Sequence, residues 1–87
     1  MNDWIADLYR RLLPQMSEKA VHEFDELASH DIAEFEASLI LRGIASGMMT
    51  DDDRDKAALL IRLSNGITFR KLRHQMLEAL DRDLIPA

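Results

Sequence analysis

The stretch that most constrains the fold of this chain runs from Asp31 to Met49. It is the most apolar part of the sequence, and on a helix its apolar residues fall on two separate arcs. One arc holds Ile32, Phe35 and Leu39, and the other holds Ala33, Ala37, Ile40, Leu41, Ile44 and Met48. A helix that faces solvent on one side has a single apolar stripe about 100° wide, whereas two arcs are typical of a helix buried between neighbours. The sequence therefore predicts a central helix around which the rest of the chain packs.

The remaining segments also follow helical spacing, and no segment alternates with the period of two that marks a strand. The expected fold is all-α, a small single-domain bundle of four helices, or five, over residues 1–87. Residues expected in its core are Phe24, Phe35, Leu39, Ile61, Leu72 and Met76.

Helix boundaries are signalled by local chemistry. Pro14 disfavours helical geometry at the residue before it, and Ser17 is a suitable N-cap for the next helix. Thr50 precedes three aspartates, which the positive end of a helix dipole favours. The other predicted boundary residues are Asp3 as an N-cap, Gly47 as a C-terminal stop, Asn65-Gly66 as a left-handed stop supported by Ile67, and Thr68 as the last N-cap.

The junction at Ser29–Asp31 has two interpretations. Asp31-Ile32-Ala33-Glu34 resembles a capping box, which would start a new helix there. The apolar stripe nevertheless continues in phase from Phe24 to Leu39. This continuity favours one long, bent helix over residues 18–46, and a break would raise the number of helices from four to five.

Composition excludes several classes of protein. The 87 residues are enough for one domain at most, and 47% hydrophobic with 31% charged residues is typical of an ordinary globular protein. The absence of cysteine excludes disulfides and thiolate metal sites, and it fits a cytoplasmic location. The first residues do not resemble a signal peptide, and the longest nearly uncharged run falls short of the ~20 apolar residues that span a bilayer.

Common catalytic motifs are missing. The chain has no glycine-rich phosphate loop, no G-x-S-x-G and no H-E-x-x-H, so we expect no enzymatic activity and no cofactor. Asp51-x-Asp53-x-Asp55 imitates the start of a calcium-binding loop. Lys56 and Arg62 stand where that loop requires glycine and glutamate, however, and we interpret the segment as a helix N-terminus.

Histidine and glutamate recur at every fourth residue from Glu18 through His22, Glu26 and His30 to Glu34. Such spacing can hold a divalent metal, but it is also typical of a solvated helix face with weak charge pairs. Because no cysteine and no third histidine lie nearby, we expect solvated surface and no metal site.

The glycines of Gly43-x-x-x-Gly47 let two backbones approach closely. Glycine inside a helix costs about 1 kcal/mol, so it should have a packing reason. We expect a close internal crossing here.

Charge is distributed unevenly along a chain of net charge −5. Residues 18–36 carry seven acids against Lys19, whereas residues 56–77 carry no acid. This basic run supplies the predicted partner-binding residues Arg62, Arg70, Lys71, Arg73 and His74. Arg73 falls inside the apolar arc of the last helix, so it must reach water, pair with a buried acid or enter a partner.

Residues 51–83 look superficially like a helix-turn-helix, with the basic side chains early in its second helix. Arg62 stands where that motif wants a small residue, and the acidity of the chain opposes phosphate binding. The leading hypothesis is therefore a non-enzymatic protein–protein interaction module that regulates or inhibits a larger partner and forms homodimers. The alternatives are a nucleic-acid-binding transcriptional regulator and a metal- or small-molecule-binding helical protein.

Overall fold

The computed structural model describes the backbone of residues 3–64 and 66–84 and the side chains of residues 3–64 and 66–81. Over these ranges the chain forms five α-helices and one 3₁₀ turn, and no strand. The helices are α1 (Asp3–Leu12), α2 (Glu18–His30), α3 (Ile32–Ser46), α4 (Asp51–Leu63) and α5 (Ile67–Leu84), with the 3₁₀ turn Leu13–Gln15 after α1. The predicted all-α bundle is confirmed.

Helix α3 is the central element. Phe35, Leu39 and Ile40 on this helix are inaccessible to solvent, and α1, α2 and α5 all pack against it. Its ends are more open, since Ile32 is 42% exposed and Met48, just beyond Gly47, is 38% exposed. Both predicted apolar arcs are thus covered mainly from within the same chain.

The prediction of one long helix over residues 18–46 is wrong, because the chain breaks at Asp31. The backbone of Asp31 leaves the helical region (φ −149°, ψ 90°), and its carboxylate accepts a hydrogen bond from the Glu34 backbone N–H at 3.1 Å. The Asp31 N–H itself donates to the Leu27 carbonyl at 2.7 Å. The apolar stripe stays in phase because both helices pack into one core, not because the helix is continuous.

The two helices meet through aromatic side chains on either side of this break. The rings of Phe24 and Phe35 lie 5.8 Å apart at 83°, the edge-to-face arrangement that aromatic pairs prefer. Tyr9 from α1 adds a second edge-to-face contact with Phe35 at 5.3 Å. This cluster joins α1, α2 and α3 at one end of the core.

Most other boundary signals are confirmed. Helix α1 ends at Leu12 before Pro14, and Ser17 caps α2 by accepting from the Ala20 N–H. Gly47 ends α3 in the left-handed region at φ 70°. Thr50 and Asp53 form a reciprocal capping box at the start of α4, so the aspartate cluster is a helix N-terminus as predicted.

The α4–α5 connection differs from the prediction. Helix α5 begins at Ile67, and the Arg70 N–H donates to the Gly66 carbonyl, so Thr68 lies in the first turn and is not the N-cap. Ile67 is 71% exposed instead of buried against the end of α4. Ser64 is extended after α4, and the Asn65 part of the predicted left-handed stop lies outside the described residues.

The predicted close packing is found at Gly43 only. A Cβ at this position would come within 3.2 Å of Met49 Sδ and 3.6 Å of Leu8 Cδ2, so glycine lets these side chains pack against α3. A Cβ at Gly47 would meet nothing within 4 Å, and this glycine is needed for its left-handed backbone instead.

Of the six residues predicted in the core, five are buried and Leu72 is half-buried against the core.

Candidate interaction surface

A buried carboxylate fixes helix α4 against helix α1. Asp53 is only 3% exposed. It accepts a hydrogen bond from Trp4 Nε1 at 2.9 Å and a two-pronged pair from Arg11, with Nη1 and Nη2 at 2.8 and 2.7 Å. The Thr50 backbone N–H adds a further bond at 2.9 Å. The two helices are therefore held in one relative orientation by directed, charge-assisted contacts.

These contacts also determine the protonation state of the pair. The hydrogen bonds from Arg11 hold the pKa of Asp53 well below its usual range, and they outweigh the opposing effect of burial. The same bonds raise the pKa of Arg11. Arg11 also donates from Nε to Asp7 at 2.9 Å, so its guanidinium bridges two carboxylates. Asp53 is ionised at neutral pH.

Three large apolar side chains point to solvent from α4 and the start of α5. Leu59, Leu63 and Ile67 are 60%, 68% and 71% exposed, and we call this set the apolar strip. Leu59 and Leu63 are one helical turn apart, so they lie on the same face of α4. An open cleft of about 500 Å³ runs beside them; it is lined by Asp3, Trp4, Lys56, Leu59, Leu60 and Leu63.

Four of the five predicted partner-binding residues are exposed. Arg70 and Lys71 follow Ile67 by three and four residues on α5, so they flank one end of the apolar strip. Arg62 instead lines a groove between α4 and α5, where Asp51, Asp55 and Asp81 are also found. His74 is exposed, and its Nε2 lies 3.6 Å from Glu78 Oε2. The structure thus does not gather these residues into one uniformly basic site.

Arg73 has a role that the sequence did not indicate. Its guanidinium is partly buried and donates from Nε to the Ile61 carbonyl at 3.1 Å and from one Nη to the Ser64 carbonyl at 2.6 Å. These carbonyls belong to the C-terminal end of α4, where a cation interacts favourably with the helix dipole. Arg73 therefore joins α5 to the end of α4 inside the chain.

The basic run is also neutralised more than its sequence indicates. Lys56 Nζ lies 3.1 Å from Asp52 Oδ2, one turn before the run begins. Glu78, which approaches His74, stands just after the run ends. Pairing over one helical turn brings in acids that a linear window omits.

The row from Glu18 to Glu34 is divided by the break at Asp31. His22 Nε2 lies 3.2 Å from Glu26 Oε1, with both side chains largely exposed. Over residues 3–64 and 66–84, no three histidine or acidic side chains are close enough together to hold a metal ion.

Comparisons with protein-family models, curated proteins and solved structures gave no match to this chain. In the part of the chain that the structure describes, every helix is too short or too polar to cross a bilayer.

Proposed function

We propose that this chain is a non-enzymatic protein-interaction module that binds a larger partner, and regulates or inhibits it, through the apolar strip. The observation that carries this proposal is the exposure of Leu59 and Leu63 on one face of α4 and of Ile67 at the start of α5. Single exposed apolar residues are common, but adjacent large ones rimmed by polar groups mark interaction surfaces. Burying each such side chain in a partner contributes about 1.5–3 kcal/mol.

Charges beside the strip favour a partner with an acidic rim. Arg70 and Lys71 lie next to Ile67 on α5, and no described carboxylate forms an ion pair with either side chain. Arginine is frequent at interface hot spots because its planar fork makes several directed hydrogen bonds. An apolar centre with cations at one end would bind an amphipathic, acidic element of the partner.

Nucleic acid is less compatible with the same surface. The groove beside Arg62 also contains Asp51, Asp55 and Asp81, whose carboxylates would repel phosphates. Arg73, which the helix-turn-helix interpretation would place at the DNA, is committed to carbonyls at the end of α4.

The test compares the wild-type chain with the double variant Leu59→Ser/Leu63→Ser. The matched control is Ile32→Ser, which replaces an exposed apolar residue on α3. Each chain is used for affinity capture from its native host, the captured protein is identified by mass spectrometry, and its affinity is then measured with purified components. We expect the double variant to bind at least about ten-fold more weakly and the control to bind normally.

Full affinity in a folded double variant would contradict the proposal. Salt dependence separates the nucleic-acid alternative, since affinity for duplex DNA falls with a log–log slope of about −0.9 per neutralised phosphate.

A further inference from the structure

A second groove lies away from the apolar strip, where the end of α1, α2 and α3 meet. It is open and has a volume of about 670 Å³. Its apolar walls come from Leu12, Met16, Phe24 and Leu41, and its polar side chains include Ser38 and Arg42. This volume and this mixture of apolar walls with a few polar groups are typical of small-molecule sites, which span about 300–1,000 Å³.

Arg42 gives the groove a positive charge that no described carboxylate offsets. Among the described residues no carboxylate pairs with it, and no acid lines the groove, although the chain has 16 acids. By contrast, Arg10, Arg11 and Lys56 each lie within 4.0 Å of an aspartate. In a chain of net charge −5, an acid-free groove around an arginine favours an anionic occupant.

The position of Arg42 is supported by an aromatic ring. Its guanidinium carbon lies 5.5 Å from the centroid of Phe24, at cation–π distance. Phe24 is itself held between Tyr9 and Phe35, with ring centroids at 6.1 and 5.8 Å. This stacking limits the freedom of the guanidinium while leaving its N–H groups free to bind a ligand.

We propose that this groove binds a linear aliphatic carboxylate. The guanidinium of Arg42 presents a planar fork of N–H donors that matches the two oxygens of a carboxylate. The aliphatic chain would lie along Leu12, Met16 and Leu41, which line the same groove. Ser38, one helical turn before Arg42, offers a hydroxyl donor on the same face.

The test is titration of the whole chain with decanoate, followed through the backbone amide signals in ¹⁵N–¹H correlation spectra. We expect saturable shifts at Ser38, Leu41 and Ala45, with one decanoate bound per chain. Arg42→Gln should weaken binding by at least about ten-fold, because hydrogen bonds between charged groups are the stronger ones. Arg10→Gln, which removes an exposed arginine on α1, should bind decanoate normally.

Two further measurements distinguish recognition of the carboxylate from non-specific apolar binding and from misfolding of the variant protein. 1-Decanol has a ten-carbon chain, as decanoate does, but no charge. Its affinity for the wild-type protein should be no higher than the affinity of decanoate for the Arg42→Gln variant. Ala45→Phe fills the exposed edge of the groove without changing Arg42, and it should abolish binding while the melting temperature stays normal.

Wild-type affinity in Arg42→Gln, equal affinity for decanol and decanoate, or shifts at the apolar strip instead of the groove would each overturn the proposal. So would the absence of saturable binding below the micelle concentration, which would leave a polypeptide segment as the occupant. The Leu59→Ser/Leu63→Ser variant should still bind decanoate, because its substitutions lie on α4 and this groove does not include α4. The two proposals can therefore fail separately.

Discussion

Asp53 combines two roles that usually belong to different residues. Its carboxylate closes the capping box at the start of α4, and it also accepts the Trp4 indole and the Arg11 guanidinium from α1. Removing one partner of a buried pair costs about 3–5 kcal/mol, since the other is left without its counter-charge. Arg11 keeps Asp7 and some exposure, so we expect a cost at the lower end of that range.

The first prediction concerns the acid dependence of this network. Because the pKa of Asp53 is lowered in the folded state, its carboxylate contributes stability above the unfolded pKa of 3.8, and this contribution is lost as pH falls below that value. Asp53→Asn should reduce the free energy of unfolding by about 3 kcal/mol at pH 7. The difference in the free energy of unfolding between wild type and variant should become smaller as the pH falls from about 4 to 2.

Urea denaturation followed by circular dichroism at several pH values measures this effect. Asp55→Asn, an exposed aspartate on the same helix, is the control and should leave stability nearly unchanged. The prediction is contradicted if the free energies of unfolding of wild type and Asp53→Asn differ by the same amount at pH 7 and pH 2. Protonation of Asp53 would then not be linked to folding.

The second prediction concerns Tyr9, the single tyrosine of the chain. Burial, together with the hydrogen bond that its hydroxyl donates to Asp25 at 2.9 Å, raises the pKa of Tyr9 to about 12. The raised pKa means that the neutral phenol contributes stability below pH 10, which is lost as pH rises from 10 towards 12. Absorbance titration of the folded chain should show this late ionisation.

Asp25→Asn should lower the pKa of Tyr9 only part of the way back towards 10, because burial makes the larger contribution to the raised pKa. A wild-type midpoint at 10 while circular dichroism still shows native helix would contradict the prediction.

At the scale of the helices, the sequence predicted features that depend on neighbouring residues and missed those that depend on residues far apart in the chain. Caps at Ser17, Gly47 and Thr50 were predictable because each involves backbone groups within a few residues. The Asp53 network was not, since its partners Trp4 and Arg11 are 49 and 42 residues away. At Asp31 the capping signal was correct, and the in-phase stripe was a misleading guide to continuity.

The apolar strip was missed for a different reason. The sequence of α4 places apolar residues around most of the helix circumference, a pattern typical of burial on several sides. In the structure only one side is buried, around Ala57 and Ile61, and Leu59 and Leu63 face solvent. The excess of apolar residues was the sequence signal for an interaction face, but periodicity alone cannot distinguish a second internal neighbour from a partner.

The third prediction tests whether Arg73 stabilises the chain from within. Replacing Arg73 by Met removes its bonds to the Ile61 and Ser64 carbonyls while keeping an unbranched apolar side chain. We expect the free energy of unfolding to fall by about 1.5–3 kcal/mol, the usual contribution of hydrogen bonds to charged groups. Arg70→Gln and Lys71→Gln change exposed side chains on the same helix and should leave it unchanged.

Urea denaturation of the three variants, each checked for native helix content, separates the two roles of the basic residues. If Arg73→Met is as stable as the wild type while partner binding is lost, Arg73 is a partner anchor, as first predicted from the sequence.

At the scale of the whole molecule, the structure changes which surface could support the proposed self-association. The two apolar arcs of α3 are not that surface, because α1, α2 and α5 cover most of them. The most exposed large apolar side chains lie instead on the apolar strip, and a two-fold dimer would bring this strip against its own copy. A partner and a second copy would then compete for the same surface.

The fourth prediction is that the chain forms a salt-sensitive dimer through the apolar strip. Two chains of net charge −5 repel each other, and salt screens this repulsion over a Debye length of about 10 Å at 0.1 M. Sedimentation equilibrium at micromolar concentration should therefore show a dimer whose affinity increases with salt. Leu59→Ser/Leu63→Ser should be monomeric, whereas Ile32→Ser should dimerise normally. A wild-type monomer at every protein and salt concentration would refute self-association. A dimer that survives the double variant would place the interface elsewhere and leave the strip free for a partner.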